Sequence, residues 1–408
     1  MAILNRWQGV LIAFFMTVLL AGRLEPLVSV GPRQIDFWLV WLLCMVLVGL
    51  PVLLLESALA KRSQALPLQA LPVLTREADV GPRWRINGWI AIIGALLLAG
   101  GLTAQLGGLM PPILHQMVPA DFLLSQAAII APVTAVVVII AAFALSFVAE
   151  QRLIVAGALL VMLLTILELI NVPAPVWQWT AFSWLEWSGV VILVLASTGL
   201  GLGLYWTAAL KDTPAPAKND TPKAYGASKS KPDIPRRPIL LIWIAQLLGG
   251  LVVALGWTKM FPDYAASVST EVTTAAQHVP VIFGYTWGLY AAALLCGAAF
   301  LLSFVRQQLR GRGFAPIIVA VISLASLALW TLPVTALLVV VTSAVLLVIA
   351  AIYAIFAGWR MKSSHLRKAL NFNNEALYNL WRVQIRIIVP LSILVALIGL
   401  IYQCLQVH

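Results

Sequence analysis

The sequence predicts an all-α polytopic membrane protein with about eleven transmembrane helices. Three observations lead there. Of the residues, 62% are apolar and only 10% are charged, with a mean hydropathy of +0.98. A soluble domain carries about 25% charged residues, so most of this surface faces something other than water. The apolar residues also gather into runs of roughly 20, the length needed to cross the hydrocarbon layer as a helix. Finally, lysine and arginine alternate from one connector to the next, as they do when successive loops lie on opposite sides of a bilayer.

The first run covers residues 7–30. Arg6 ahead of a short apolar stretch imitates a secretory leader, but no A-x-A cleavage site follows, and Gly22-Arg23-Leu24-Glu25 is a poor substitute. The run therefore reads as the first span. The others are 37–59, 86–110, 122–147, 153–170, 187–210, 239–260, 279–305, 314–332, 334–359 and 377–402. Only Thr331-Leu332-Pro333 divides the ninth from the tenth. Within a bilayer every backbone amide must be paired inside its own segment, so these runs are helices and not strands.

With the N-terminus in the cytoplasm, all but three of the 26 Lys and Arg residues fall on cytoplasmic segments. The exceptions are Arg23, Arg33 and Lys259. The C-terminus is then outside. Residues 1–210 hold helices one to six, and 211–237 form a flexible basic cytoplasmic loop rich in Pro, Lys, Ala and Ser. Helices seven to ten occupy 238–376, and 377–408 carry an appended eleventh. The net charge of +11 is distributed among loops facing the anionic leaflet, which excludes nucleic acid as a partner and names membrane lipids instead. Sixteen tryptophans suit a chain with two interfaces to anchor. Trp177, Trp179, Trp184 and Trp187 mark the outer loop before helix six as interfacial anchors or a short surface helix.

No catalytic constellation appears. His115, His278, His365 and His408 lie in loops or at the terminus, without a Cys, Asp or Glu partner at metal-ligand spacing. Cys44, Cys296 and Cys404 sit in apolar runs and read as small hydrophobes. Glu168 reads as a residue snorkelling to the outer interface.

Two features interrupt the helices. In the sixth, Ser197-Thr198-Gly199-Leu200-Gly201-Leu202-Gly203 spaces three glycines alternately, and each costs about 1 kcal/mol against alanine in a helix. Unwinding there and close packing of small residues both explain the triplet. In the first, Ala21-Gly22-Arg23-Leu24-Glu25-Pro26 combines a missing amide donor with two charges that are expensive in hydrocarbon. Either the helix breaks there, or it ends near Leu20 with Arg23 already at the interface. The interruptions are five helices apart, as two inverted five-helix repeats require when broken first helices expose half-helix ends to a mid-membrane ligand. An odd repeat length forces opposite orientations on helices one and six, which the charge count reproduces.

The second helix and its exit, Val48-Gly49-Leu50-Pro51-Val52-Leu53-Leu54-Leu55-Glu56-Ser57-Ala58-Leu59-Ala60-Lys61-Arg62-Ser63-Gln64, resemble the neurotransmitter:sodium symporters, which have the leucine-transporter fold. Gly88-Trp89 at the start of helix three and Leu200-Gly201-Leu202-Gly203 in helix six also match. Ile282-Phe283 and Trp359-Arg360 add to this, and the chain looks like a divergent bacterial member. The resemblance implies a plasma-membrane, inner-membrane secondary transporter of a small zwitterion, usually an amino acid, driven by sodium. It implies a 5+5 inverted repeat plus one extra helix, with substrate held by Ala21, Gly22, Arg23, Glu25, Thr198, Gly199, Gly201 and Gly203.

The departures fall on the sodium ligands. Ala21 stands where the ion-binding Asn would be, Leu24 where an Arg would be, and Ala299-Phe300 where a Thr-Ser pair would donate hydroxyls. The substrate-contacting Tyr of helix three is missing from residues 94–108. Sodium wants hard oxygens that these side chains lack, so no cofactor is expected and the sodium site reads as degraded. Arg23 then reads as a fixed cation in place of sodium, holding an anionic substrate group or pairing with Glu25. Glu56 reads as structural, bonding backbone freed by a broken helix, with proton carriage as its alternative. Pro26 belongs with it as a structural residue. Set against the transporter is a transport-inactive relative serving as a membrane scaffold or accessory subunit. A membrane enzyme comes third. Partnership with a second copy or an accessory subunit stays open.

Overall fold

A computed structural model describes residues 2–28, 35–115, 127–171, 177, 179, 183–206, 237–255, 281–361, 363–370, 372 and 374–406. Its helices are α1 (Ala2–Val28), α2 (Ile35–Ser63), α3 (Pro67–Glu77), α4 (Ile86–His115), α5 (Ala127–Leu145), α6 (Glu150–Asn171) and α7 (Trp184–Ser197). They continue with α8 (Arg237–Leu255), α9 (Val281–Gly311), α10 (Pro316–Leu329), α11 (Thr335–Arg360), α12 (Ser363–Leu370) and α13 (Glu375–Leu405). Among the described residues, six helices are long and apolar enough to cross a membrane, and five more are shorter apolar helices. Each of the eleven runs thus has its helix, and the divide at 331–333 is a real turn between α10 and α11.

Helix ends follow local chemistry. Ser183 and Glu186 form a reciprocal capping box at the start of α7, which satisfies two amides that the first turn leaves free. Pro67 and Pro316 open α3 and α10, where a missing amide costs nothing. Three of the long helices carry a π turn: Met45–Gly49 in α2, Phe356–Arg360 in α11 and Gln384–Ile388 in α13. A π turn releases backbone groups from the regular ladder, and partners wait nearby. The Trp243 indole donates to the Met45 carbonyl at 3.1 Å, and Arg386 Nε donates to that of Gly358 at 2.5 Å.

The core runs through α1, α2, α4, α7, α9 and α11, where Phe15, Trp206, Tyr290, Phe300 and Tyr353 are almost wholly buried. Small residues let helices approach. A Cβ on Gly250 of α8 would collide with the Trp41 ring, and one on Gly100 of α4 with Trp330. Ile317, Val321, Ile129, Ile140 and Ile170 are exposed outward, as a lipid-facing surface requires.

Three expectations change. Helix one does not break: α1 is one helix through Ala21–Pro26 to Val28. Proline removes a single amide bond to the carbonyl of residue 22, and the bonds on either side carry the helix onward. The connector after α2 is also more than a loop. Its amphipathic α3 buries Leu68, Leu71 and Leu74 and is tied to α9, with the Leu68 amide donating to Gln308 Oε1 at 3.1 Å and Gln69 Nε2 to the Gln308 carbonyl at 2.9 Å. Two histidines assigned to loops lie on helices, His115 ending α4 and His365 within α12. Trp177 and Trp179 are exposed, and Trp184 begins α7. The basic loop up to Arg236 and Lys259 lie outside the described residues.

Candidate functional site

Helix α7 stops at Ser197, and residues 198–205 form successive turns before helix resumes at Trp206. The glycine triplet causes this. Gly199, Gly201 and Gly203 have φ of +64°, +94° and +80°, a region that residues with a Cβ rarely enter. The whole stretch is buried, from Thr198 and Leu200 at 0% exposure to Tyr205 at 1%. Non-helical backbone in such a place needs partners from outside its own segment.

Glu56 of α2 supplies them. Its Oε1 accepts the Gly201 amide, and the Gly203 amide faces the same carboxylate. Tyr205 folds back so that its hydroxyl donates to the Thr198 carbonyl, while the Thr198 hydroxyl donates to Val194. Close packing fixes the rest: a Cβ on Gly201 would lie 3.0 Å from Ile349 Cγ2 of α11, and one on Gly94 of α4 would lie 3.0 Å from Leu202. Glu56 itself is fully buried.

The other predicted residues sit on α1. Ala21 is buried, and Gly22, Arg23, Glu25 and Pro26 follow on the same helix; their side chains, like that of Glu168, lie outside the described residues. Two positions earlier on α1, Leu19 converges with Leu102 of α4 and Phe15 on Gly297 of α9. Leu19 therefore approaches α4 near Leu102, whereas the glycine turns approach it at Gly94. At 1.5 Å per residue these points are roughly 12 Å apart along α4.

Sequence reasoning missed a polar pair beside this layer. Gln105 Nε2 of α4 donates to the Tyr290 hydroxyl of α9 at 2.8 Å, and Gln105 Oε1 is buried without a bond. The signal was present: Gln105 is the lone amide in the apolar stretch 94–108, which holds no tyrosine. A buried amide with a spare acceptor costs about 1–3 kcal/mol unless something occupies it. A second group missed lies at the start of α6, where Glu150 accepts from Gln8 of α1 at 3.2 Å and from Gln307 of α9 at 2.8 Å. That carboxylate ties three helices together at one end of the bundle.

The solved structure of MhsT in complex with L-phenylalanine matches this architecture with a TM-score of 0.61, covering 98% of each chain at 16% identity. The chain has the leucine-transporter fold. MhsT is a transporter of that fold in the neurotransmitter:sodium symporter family. No protein-family model matches the chain, and no curated protein is similar to it in sequence. At the positions that the resemblance sets against sodium ligands, no side chain supplies a hard oxygen. Ala299 and Phe300 are buried on α9 and carry no side-chain oxygen, and neither does Ala21.

Proposed function

We propose that the chain is a secondary active transporter of a small zwitterionic or anionic solute, an amino acid, working by alternating access with weakened or absent sodium dependence. The observation that carries this reading is the buried break at residues 198–205 capped by Glu56. A structural helix has no reason to place three glycines at positive φ and a buried carboxylate at its middle. A helix that must offer backbone groups to a ligand and flex around it does. In this reading Arg23 on α1 takes the substrate's anionic group in place of a fixed sodium, and Gln105 Oε1 accepts a hydrogen bond from its ammonium. The basic ends of the helices face the cytoplasm of a bacterial inner membrane.

Uptake of labelled amino acids into proteoliposomes tests it, with sodium replaced by choline in a parallel arm. The proposal expects uptake in both arms and its loss in Arg23→Ala. Undiminished transport by Arg23→Ala removes the arginine from the scheme, and uptake that collapses without sodium removes the coupling claim.

A second reading has its own observation. Phe15, Leu19 and Leu102 close on Gly297 with apolar side chains, and α1 is unbroken. Such packing suits a relative that no longer transports and serves as a scaffold or accessory subunit. For that protein no solute enters in either arm.

A further inference from the structure

Away from the break, three helices leave a groove where their ends meet at the basic end of the bundle. Its walls are the end of α5 with Phe143, Ser146 and Phe147, the last turns of α9, and the first turns of α10. On α9 the lining residues Leu302, Arg306 and Arg310 repeat every four positions, so one helix face runs from apolar to cationic. Facing it on α10 are Pro316, Val319, Ala320 and Ser323, again one helical stripe. The groove is open to solvent on one side, and its cavity volume is about 60 Å³. The hydroxyls of Ser146 and Ser323 are spent on the Phe143 and Val319 carbonyls of their own helices, so the only free polar groups on the walls are the two guanidiniums.

The arginines are poorly served. Arg306 lies over the Phe147 ring, 4.5 Å from its centre, and its Nη1 is buried without a hydrogen bond. Arg310, one turn on, is exposed and repels it. Among the described residues no carboxylate pairs with either. Glu150 is engaged by Gln8 and Gln307. A guanidinium with one buried, unbonded nitrogen, a like-charged neighbour and no anion is costly unless a ligand completes it.

We propose that this groove binds an anionic phospholipid, its phosphate held by Arg306 and Arg310 and an acyl chain lying against Leu302, Val319 and Ala320. The apolar walls select a lipid over a free anion, because a soluble phosphate leaves them uncovered. The position fits, since Arg310 stands at the end of a span where the headgroup layer begins.

The test uses the full chain in detergent, with native mass spectrometry and unfolding midpoints read in parallel. Three arms add phosphatidylglycerol, phosphatidylcholine of the same acyl composition, or inorganic phosphate. Retention and stabilisation by phosphatidylglycerol alone are expected. Arg306→Gln with Arg310→Gln should weaken retention about tenfold, while Arg312→Gln, an exposed arginine at the same end but off the groove, leaves it unchanged. Arg310→Gln alone, at an exposed position that cannot disturb the core, should weaken it severalfold even if the double variant fails to fold. Equal retention of both lipids, stabilisation by phosphate alone, or full retention by Arg310→Gln overturns the proposal.

Discussion

At Gly201 the backbone has φ +94° and the nearest foreign atom is Ile349 Cγ2, so a methyl group there meets both torsional strain and a β-branched neighbour. Gly201→Ala should cost about 2 kcal/mol by these two routes. Gly199→Ala should cost about 1 kcal/mol, since its φ of +64° lies in the left-handed helical well and its neighbour is the mobile end of Leu204. Unfolding midpoints of the two variants check the order. Glu56 gives a second comparison. Glu56→Gln keeps one acceptor for the Gly201 amide but turns donors toward the other, and Glu56→Ala leaves both amides unpaired in the interior. The alanine variant should be the less stable by about 1–3 kcal/mol, the cost of an orphaned buried group.

Among the elements, α7 and α1 show what a sequence can and cannot reveal. The break in the sixth helix was legible as one of two readings of the alternate glycines, and the positive φ at all three decides for unwinding; Glu56 was legible because an acid in a span needs a partner. The predicted break in α1 was not sustained. Proline and two charges near a helix end are compatible with both an interrupted and a continuous helix, and tertiary packing decides between them. Gln105–Tyr290 and the Glu150 clasp were missed because each joins residues more than a hundred positions apart, which no local pattern encodes. The clasp makes its own prediction. Removing the shared acceptor in Glu150→Ala should loosen α1 from α6 and α9 at that end, so amide hydrogens in the first turns of α1 should exchange faster while those of α4 do not. Unaltered exchange in α1 would show that apolar packing alone holds it.

For the molecule as a whole, composition and run length were enough to indicate a helical membrane bundle, and the resemblance in helix two and the break in helix six pointed to the leucine-transporter fold. What composition left open was depth. Leu19 of α1 and Leu202 among the glycine turns approach α4 about two turns apart, because register along a helix is set by packing and not by the spacing of motifs. Sidedness rests on the arginine and lysine distribution, and a cysteine at Ser228 in the basic loop should react with a membrane-impermeant maleimide only after the cytoplasmic face is opened. The central claim, that the capped break in α7 serves a ligand, is most directly tested by thermal unfolding of the purified protein against a panel of amino acids, with and without sodium. A ligand at 100 times its dissociation constant stabilises by about 2.7 kcal/mol. The account predicts that at least one zwitterionic or anionic amino acid raises the midpoint equally in both salts and that Arg23→Ala abolishes the rise. A flat panel in both salts would contradict it.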